Sequence, residues 1–338
     1  MRTAIIGTGR MGRRHIQVVR ELDLNLVGIC DLNAGALSLA MEEHGIAPDF
    51  HFTDVRRLLE KTNPECVIIA TTAPSHCEYT CLAAESAVKY VLCEKPMAVS
   101  LAECDKMLNK CNCYGTKLAV NHQMRFMEQY TETKRIIESD AFGGLCSITV
   151  VGGNLGMAMN GTHFFEMFRY MTNEAPIEVT AWFSSEKVPN PRGPQFEDRA
   201  GAVRLVSSGG KRCYMEISAD QGHGVHVTYA GPYGQLVVDE LSGSVNMITR
   251  EKKYRYLPTT RYGMPAIEET FKIKPADAVG PSQKVLNALL NGENFPTGED
   301  GRLAVTVLVG AYLSDENNNC LVRLNDVALP RERVFPWA

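Results

Sequence analysis

The sequence has no block of like charge and no basic excess, since 35 Lys+Arg stand against 39 Asp+Glu for a formal net charge of −4. A general nucleic-acid or membrane-surface binder needs a concentrated basic face, so neither class is expected and the ligand should be small. No run approaches the ~18 consecutive apolar residues of a membrane span. The chain opens at once with an apolar strand rather than the basic and apolar regions of a signal peptide. A cytoplasmic protein is therefore expected. Internal repeats and low-complexity tracts are absent, and a hydrophobic content of 45% excludes disorder. The sequence also has no second Cys/His pair at zinc-site spacing to go with Cys77/Cys81 or with Cys111 and Cys113, so no metal is expected. Its 11 cysteines are odd in number and scattered inside regular segments, which reads as buried reduced thiols.

What is present is length for two cores: 338 residues, at roughly 100–200 residues per domain. Residues 3–7 (TAIIG) read as a short buried strand, followed by GTGRMG, a helix from about Met11 to Glu21 and a second strand, LNLVGICD. The alternation continues through helices near Ala34–His44 and Asp54–Lys61, the strand CVIIAT, the helix His76–Ser86, the strand YVLCEK, the helix Leu101–Cys111 and the strand KLAVN. Strands separated by helices of this length predict a doubly wound parallel sheet with right-handed crossovers. After Asn121 the rhythm changes. One helix, about Tyr130–Ser139, precedes seven strand-like runs between 145 and 250, and the pairs Gly209-Gly210 and Gly231-Pro232 separate neighbours as hairpins require. The expected organisation is α/β: a dinucleotide-binding domain over 1–121, then a substrate-binding and oligomerisation domain over 122–338 with a mostly antiparallel open sheet. A Pro- and Gly-bearing stretch, about 258–281, leads to two helices within about 282–313, which are expected to pack back on the first domain.

Gly7-Thr8-Gly9-Arg10-Met11-Gly12 matches G-x-G-x-x-G and sits between a strand and a helix, the context that makes the pattern informative. Gly7 permits the tight turn, Gly9 lets the backbone approach a pyrophosphate, and Gly12 allows close helix–strand packing. The helix start favours negative charge. Asp31 ends the second strand 31 − 12 = 19 residues past the last glycine, near the ~20 expected of an acid that binds the adenosine ribose. Its carboxylate would repel a 2′-phosphate, so NAD is favoured over NADP, although Arg10, Arg13 and Arg14 stand near enough for phosphate contacts.

With the fingerprint, the run ATTAPSH at 70–76, Glu94-Lys95-Pro96, Asn121…Arg125-Phe126, Gly161-x-His163 and FPTGEDGRLAVTVLVGAYLS at 295–314, the chain resembles the glucose-fructose oxidoreductase / inositol dehydrogenase / MocA (Gfo/Idh/MocA) family from residue 1 to about 325. The resemblance implies a Rossmann domain and a second α/β domain whose open sheet packs on another subunit, giving a homodimer or homotetramer. It places the active site between the domains. It also implies hydride transfer between nicotinamide and a secondary hydroxyl of a sugar, sugar nucleotide or cyclitol.

By the same resemblance Lys95 binds the substrate hydroxyl and the nicotinamide ribose, with a Lys95–Pro96 bond that is often cis in the family, and His163 is the general base. An ordinary imidazole pKa near 6.5 suits that task. Thr71, Thr72, Pro74, His76, Glu94, Asn121 and Arg125 join the cofactor set, and Asn154 and Asn160 join the substrate set. The chain departs from the pattern at Met159, where many members carry an Asp four residues before the histidine. Three outcomes follow: Lys95 and His163 suffice, another acid reaches in, or the activity is altered. Glu166, one turn after His163, either orients it or is an ordinary helix-face carboxylate. Arg192 and Arg199 are candidates for a substrate phosphate or carboxylate. Two rival functions stay open: a net non-redox enzyme working through a transient keto sugar with bound NAD, and a catalytically silent nucleotide-binding sensor.

Overall fold

The computed structural model describes the chain apart from residues 154–155, 188–189, 219, 223 and 326–328 and the side chains of 186 and 187. Two compact units are formed. One comprises Met1–Gln123, Ala278–Val305 and Pro330–Ala338; the other comprises Met124–Asp277 and Thr306–Leu329.

The first unit carries β1 (Arg2–Ile6), α1 (Arg10–Glu21), β2 (Asn25–Cys30), α2 (Ala34–His44), β3 (His51–Phe52), α3 (Val55–Thr62), β4 (Cys66–Ile69), α4 (His76–Glu85), β5 (Tyr90–Cys93), α5 (Leu101–Tyr114) and β6 (Lys117–Val120). Its strands pair in parallel in the order β3-β2-β1-β4-β5-β6, so the order reverses between β1 and β4. Helices cover both faces of such a sheet, which is why Ile5, Val67, Ile68 and Val91 are all fully buried and the strands read as solid apolar runs. Helix starts are set by side chains: Asn33 caps α2, Asp54 caps α3 and Ser100 caps α5. The starts of α1 and α4 have no side-chain cap, and of the two only α1 also lacks an acid in its first turn.

Two later segments complete this unit. Helix α8 (Val279–Asn291) packs on α1, β5 and β6. The Val120 amide donates to the Pro296 carbonyl at 3.0 Å. Thr297 and Asp300 then cap the start of the next helix reciprocally.

The second unit holds α6 (Glu128–Ile137), β7 (Ser147–Gly153), α7 (Thr162–Thr172), β8 (Pro176–Lys187), β9 (Arg199–Ser207), β10 (Arg212–Ser218), β11 (His226–Ala230), β12 (Gly234–Asp239), β13 (Ser244–Arg250), β14 (Ala266–Lys272), most of α9 (Gly298–Glu316) and β15 (Val322–Arg323). The nine strands lie in the order β14-β13-β12-β11-β7-β10-β9-β8-β15. Every pairing is antiparallel except that of β7 with β10, whose connection runs through α7, β8 and β9. Strand β14, inside the stretch expected as a Pro- and Gly-bearing connection, is an exposed edge whose AIEETFK sequence carries charges where a core strand would carry apolar residues. The pairing registers place Val151, Trp182, Tyr214 and Ile248 on one exposed sheet face, opposite the buried face of Ile148, Val150, Met215 and Val227. Among the described residues no helix is long and apolar enough to cross a membrane. All eleven cysteines are free thiols, most of them buried.

Candidate functional site

The chemistry-bearing residues of the first unit gather at the carboxyl edge of its sheet, where open α/β folds bind ligands. Gly7 follows β1 with φ +92°, and a Cβ there would lie 2.6 Å from the Ala70 carbonyl carbon. Gly12 packs so closely that a Cβ would meet the Gly7 carbonyl oxygen at 1.9 Å, whereas at Gly9 nothing lies within 4 Å. The turn therefore presses on Ala70 at Gly7, closes on itself at Gly12 and stands open at Gly9, in front of the uncapped α1. Asp31 is anchored at the end of β2: its Oδ2 accepts from the Thr8 amide at 2.6 Å and the Thr8 hydroxyl at 3.0 Å, and its Oδ1 from the Asn33 amide at 2.8 Å.

The ends of β4 and β5 are tied together by His76. Its Nδ1 lies 3.0 Å from the Pro96 carbonyl and its Nε2 3.1 Å from the Thr71 carbonyl, and the Lys95–Pro96 peptide between these elements is cis. His76 is buried, so its contribution is to hold the two loops, while Ser75 donates to the Thr71 hydroxyl at 2.7 Å. Lys95 is largely buried beside Glu94. The Glu94 Oε1 takes the His15 Nε2 at 2.7 Å and the Asn121 Nδ2 at 2.8 Å. Burial alone would raise the Glu94 carboxyl, but His15, Lys95 and Asn121 outweigh it and bring it down to about 2. The Asn121 Oδ1 is buried and meets no donor among the described residues. A buried acceptor in that condition is costly unless a ligand or water satisfies it.

In the second unit His163 enters α7 from a π turn at Met157–Gly161. Asp198, 1% exposed at the foot of β9, accepts from the Ala158 amide at 2.8 Å and the Met159 amide at 2.9 Å. Gly156 makes room for this clamp, since a Cβ there would lie 1.9 Å from Asp198 Oδ2. The Thr162 hydroxyl donates to the Ala158 carbonyl at 3.1 Å, which joins the turn to the helix. The carboxylate of Glu166 pairs with Arg125 and, at 3.1 Å, with Arg169.

Residues 1–122 match the family described as "Oxidoreductase family, NAD-binding Rossmann fold". The chain is 25% identical over 350 residues to the myo-inositol 2-dehydrogenase of Thermotoga maritima, covering 97% of this chain and 99% of that one. By these matches the chain is similar to the Gfo/Idh/MocA oxidoreductases. Solved structures share the fold. An Agrobacterium radiobacter oxidoreductase in complex with NAD+, L-tartaric acid and magnesium superposes with a TM-score of 0.79 at 18% identity, over 96% of this chain and 98% of that one. The UDP-N-acetylglucosamine 3-dehydrogenase of Acidithiobacillus ferrooxidans superposes with a TM-score of 0.75 at 19% identity, over 94% and 98%.

Within this family framework the fingerprint, Asp31, the 71–76 loop, Glu94, Lys95 and Asn121 all stand at one sheet edge of the first unit. His163, Asn160 and Arg125 stand in the second unit, where Arg125 pairs with Glu166 and lies 5.3 Å from the centre of the Tyr170 ring. Asn154 lies outside the described residues. Glu166 spends its carboxylate on two arginines rather than on His163. Arg199 is likewise engaged, with the Ser184 carbonyl at 3.1 Å and Asp315 at 3.4 Å. Among the described residues no cluster of His, Cys, Asp and Glu could hold a metal ion.

Three residues with structural parts here, His15, Asp198 and Ser282, were not among those singled out from sequence. Only His15 left a trace, as a polar residue on the buried stripe of α1 beside Gly12, Ile16 and Val19.

Proposed function

We propose that the protein is an NAD-dependent oxidoreductase that moves a hydride between nicotinamide and a secondary hydroxyl of a sugar, sugar nucleotide or cyclitol. The carboxyl edge of the first unit carries this reading: an uncapped helix start, open space over Gly9 and an anchored Asp31 carboxylate together suit a dinucleotide. The amides of the glycine turn would hold the phosphates, Asp31 the adenosine ribose, Thr71, Thr72 and Pro74 the flank, and Asn121, with its open Oδ1, the nicotinamide end. NAD is favoured over NADP because the Asp31 carboxylate would repel a 2′-phosphate, and nearby Arg13 is already paired with Glu43 at 2.8 Å.

When bound, nicotinamide supplies the hydride acceptor or donor. The chain's own residues must handle the proton and the charge on oxygen. Lys95 polarises the hydroxyl oxygen with its ammonium group, and His163 takes and returns the proton at an imidazole nitrogen. Met159 removes a carboxylate side chain that many family members have, and Asp198 brings one to the backbone of the same turn. A second copy of the chain is the proposed cover for the sheet face of Val151, Trp182, Tyr214 and Ile248, as a homodimer or homotetramer.

The test is calorimetric titration of the cofactor-stripped protein with NADH and NADPH, repeated on Asp31→Ala, followed by a screen over sugars, sugar nucleotides and cyclitols. NADH should bind selectively. Asp31→Ala should weaken it about tenfold or more, the range of lost charge-assisted hydrogen bonds. Lys95→Ala should cut turnover without unfolding the chain. Turnover without NADH accumulation would replace this reading with the net non-redox one, and binding of neither nucleotide would overturn it.

A further inference from the structure

We infer that His15 is a positioning residue for Lys95, tying the dinucleotide helix α1 to the strand end that carries the lysine through the buried carboxylate of Glu94. The inference rests on the reading of Lys95 as the hydroxyl-polarising group.

His15 lies three residues past Gly12 on the inward face of α1 and is fully buried. Glu94, just past β5, is 4% exposed, and its Oε1 stands 2.7 Å from His15 Nε2. An ionised carboxylate can only accept, so Nε2 carries the proton and donates it. The same Oε1 accepts from Asn121 past β6, and Asn121 Nδ2 also stands 3.2 Å from Ser282 Oγ on α8. The Ser282 hydroxyl donates to the Ala278 carbonyl at 2.7 Å. Three elements of the first unit, α1, β5 and β6, thus meet on one charged oxygen, and α8 joins them through Asn121.

Core stability does not explain this arrangement. Replacing both partners of a buried hydrogen bond by apolar groups of the same shape can be nearly neutral or stabilising. The geometry serves placement. Lys95 is the next residue along the backbone, so a clamped Glu94 fixes where that backbone presents Lys95, and its negative charge steadies the ammonium. The titratable groups facing Glu94 are His15 from α1 and Cys93 and Lys95 from its own segment, while β6 and α8 contribute the uncharged Asn121 and Ser282. Without His15, burial would push the Glu94 carboxyl upward.

The experiment uses the full chain as wild type, His15→Leu and His15→Gln. Lys95 is carbamoylated with cyanate over a pH series and counted by peptide mass, NADH affinity is measured by calorimetry, and thermal unfolding reports folding. In His15→Leu, the Glu94 carboxylate loses the donor that holds it beside Lys95. Lys95 should then label severalfold faster near neutral pH, because a loosened Glu94 carboxylate no longer holds its ammonium group. The difference should shrink at alkaline pH, where the lysine loses its proton in every variant. His15→Gln, which keeps an N–H for Oε1, should label like wild type, and NADH affinity should stay within about threefold in both. Wild-type labelling in His15→Leu, or equal labelling changes in both variants at every pH, would overturn the positioning role. Failure of the wild-type chain to bind NADH would instead overturn the nucleotide reading, which separates the two.

Discussion

Removing the Asp198 carboxylate should loosen the turn that leads into His163, and the cost can be worked from its two bonds. Asp198→Ala leaves the Ala158 and Met159 amides without the acceptor that meets them at 2.8 and 2.9 Å. A buried donor left unsatisfied costs about 1–3 kcal/mol, which applies in full to Ala158 and in part to the half-buried Met159. That is a large part of the ~5–15 kcal/mol that stabilises a typical domain. Gly156→Ala tests the same contact from the other side, because its Cβ would fall 1.9 Å from Asp198 Oδ2 and displace the carboxylate. Once Asp198 is gone, the alanine has less to disturb. The double variant should therefore be less destabilised than the sum of the singles by about 0.5–3 kcal/mol, the range of coupled neighbours. Urea unfolding of the four proteins measures all three quantities, and NADH titration should show affinity unchanged throughout, since the glycine turn, Asp31 and Asn121 proposed to hold the nucleotide belong to the other unit. Additive single effects, or an Asp198→Ala variant within about 0.5 kcal/mol of wild type, would refute the clamp.

Two further outcomes follow from the geometry. Gly9→Ala should leave thermal stability unchanged, because its Cβ meets nothing within 4 Å. It should lower NADH affinity about tenfold by filling the space in front of α1, a loss of about 1.4 kcal/mol, and undiminished affinity by calorimetry would contradict the site. The buried Glu240 carboxyl is pushed up by burial to about 7 despite its bond to the Tyr130 hydroxyl. Between its ordinary 4.5 and about 7 the folded chain holds a proton that the unfolded chain releases, so stability is fully present below pH 4.5 and falls as pH rises through 7. The loss is about 3 kcal/mol. Glu240→Gln should flatten that slope in urea midpoints measured across the range, and parallel curves for the two proteins would refute it.

Much of the fold was legible because its signals are local. The glycine turn, the strand before it and the spacing to Asp31 all lie within the first 31 residues, and the parallel sheet follows from apolar runs at helix-length intervals. Strand β14 was not legible, because an exposed edge strand such as AIEETFK needs no apolar alternation. The positioning contacts were hidden for another reason. Asp198 reaches Ala158 across 40 residues, Glu94 reaches His15 across 79, and Asn121 reaches Ser282 across 161, and no periodicity encodes such pairings. The Met159 departure shows the limit well: the sequence reveals a missing acid, but a carboxylate arriving from another strand to bind backbone rather than substrate leaves no spacing to read. His15 is the instructive middle case. A histidine on the apolar stripe of an amphipathic helix must find a partner, because a buried polar group without one is costly. A glutamate at the end of the strand that leads into Lys95 is the acid that answers it. Burial periodicity thus announces that a polar contact exists, and the strand order then decides with whom.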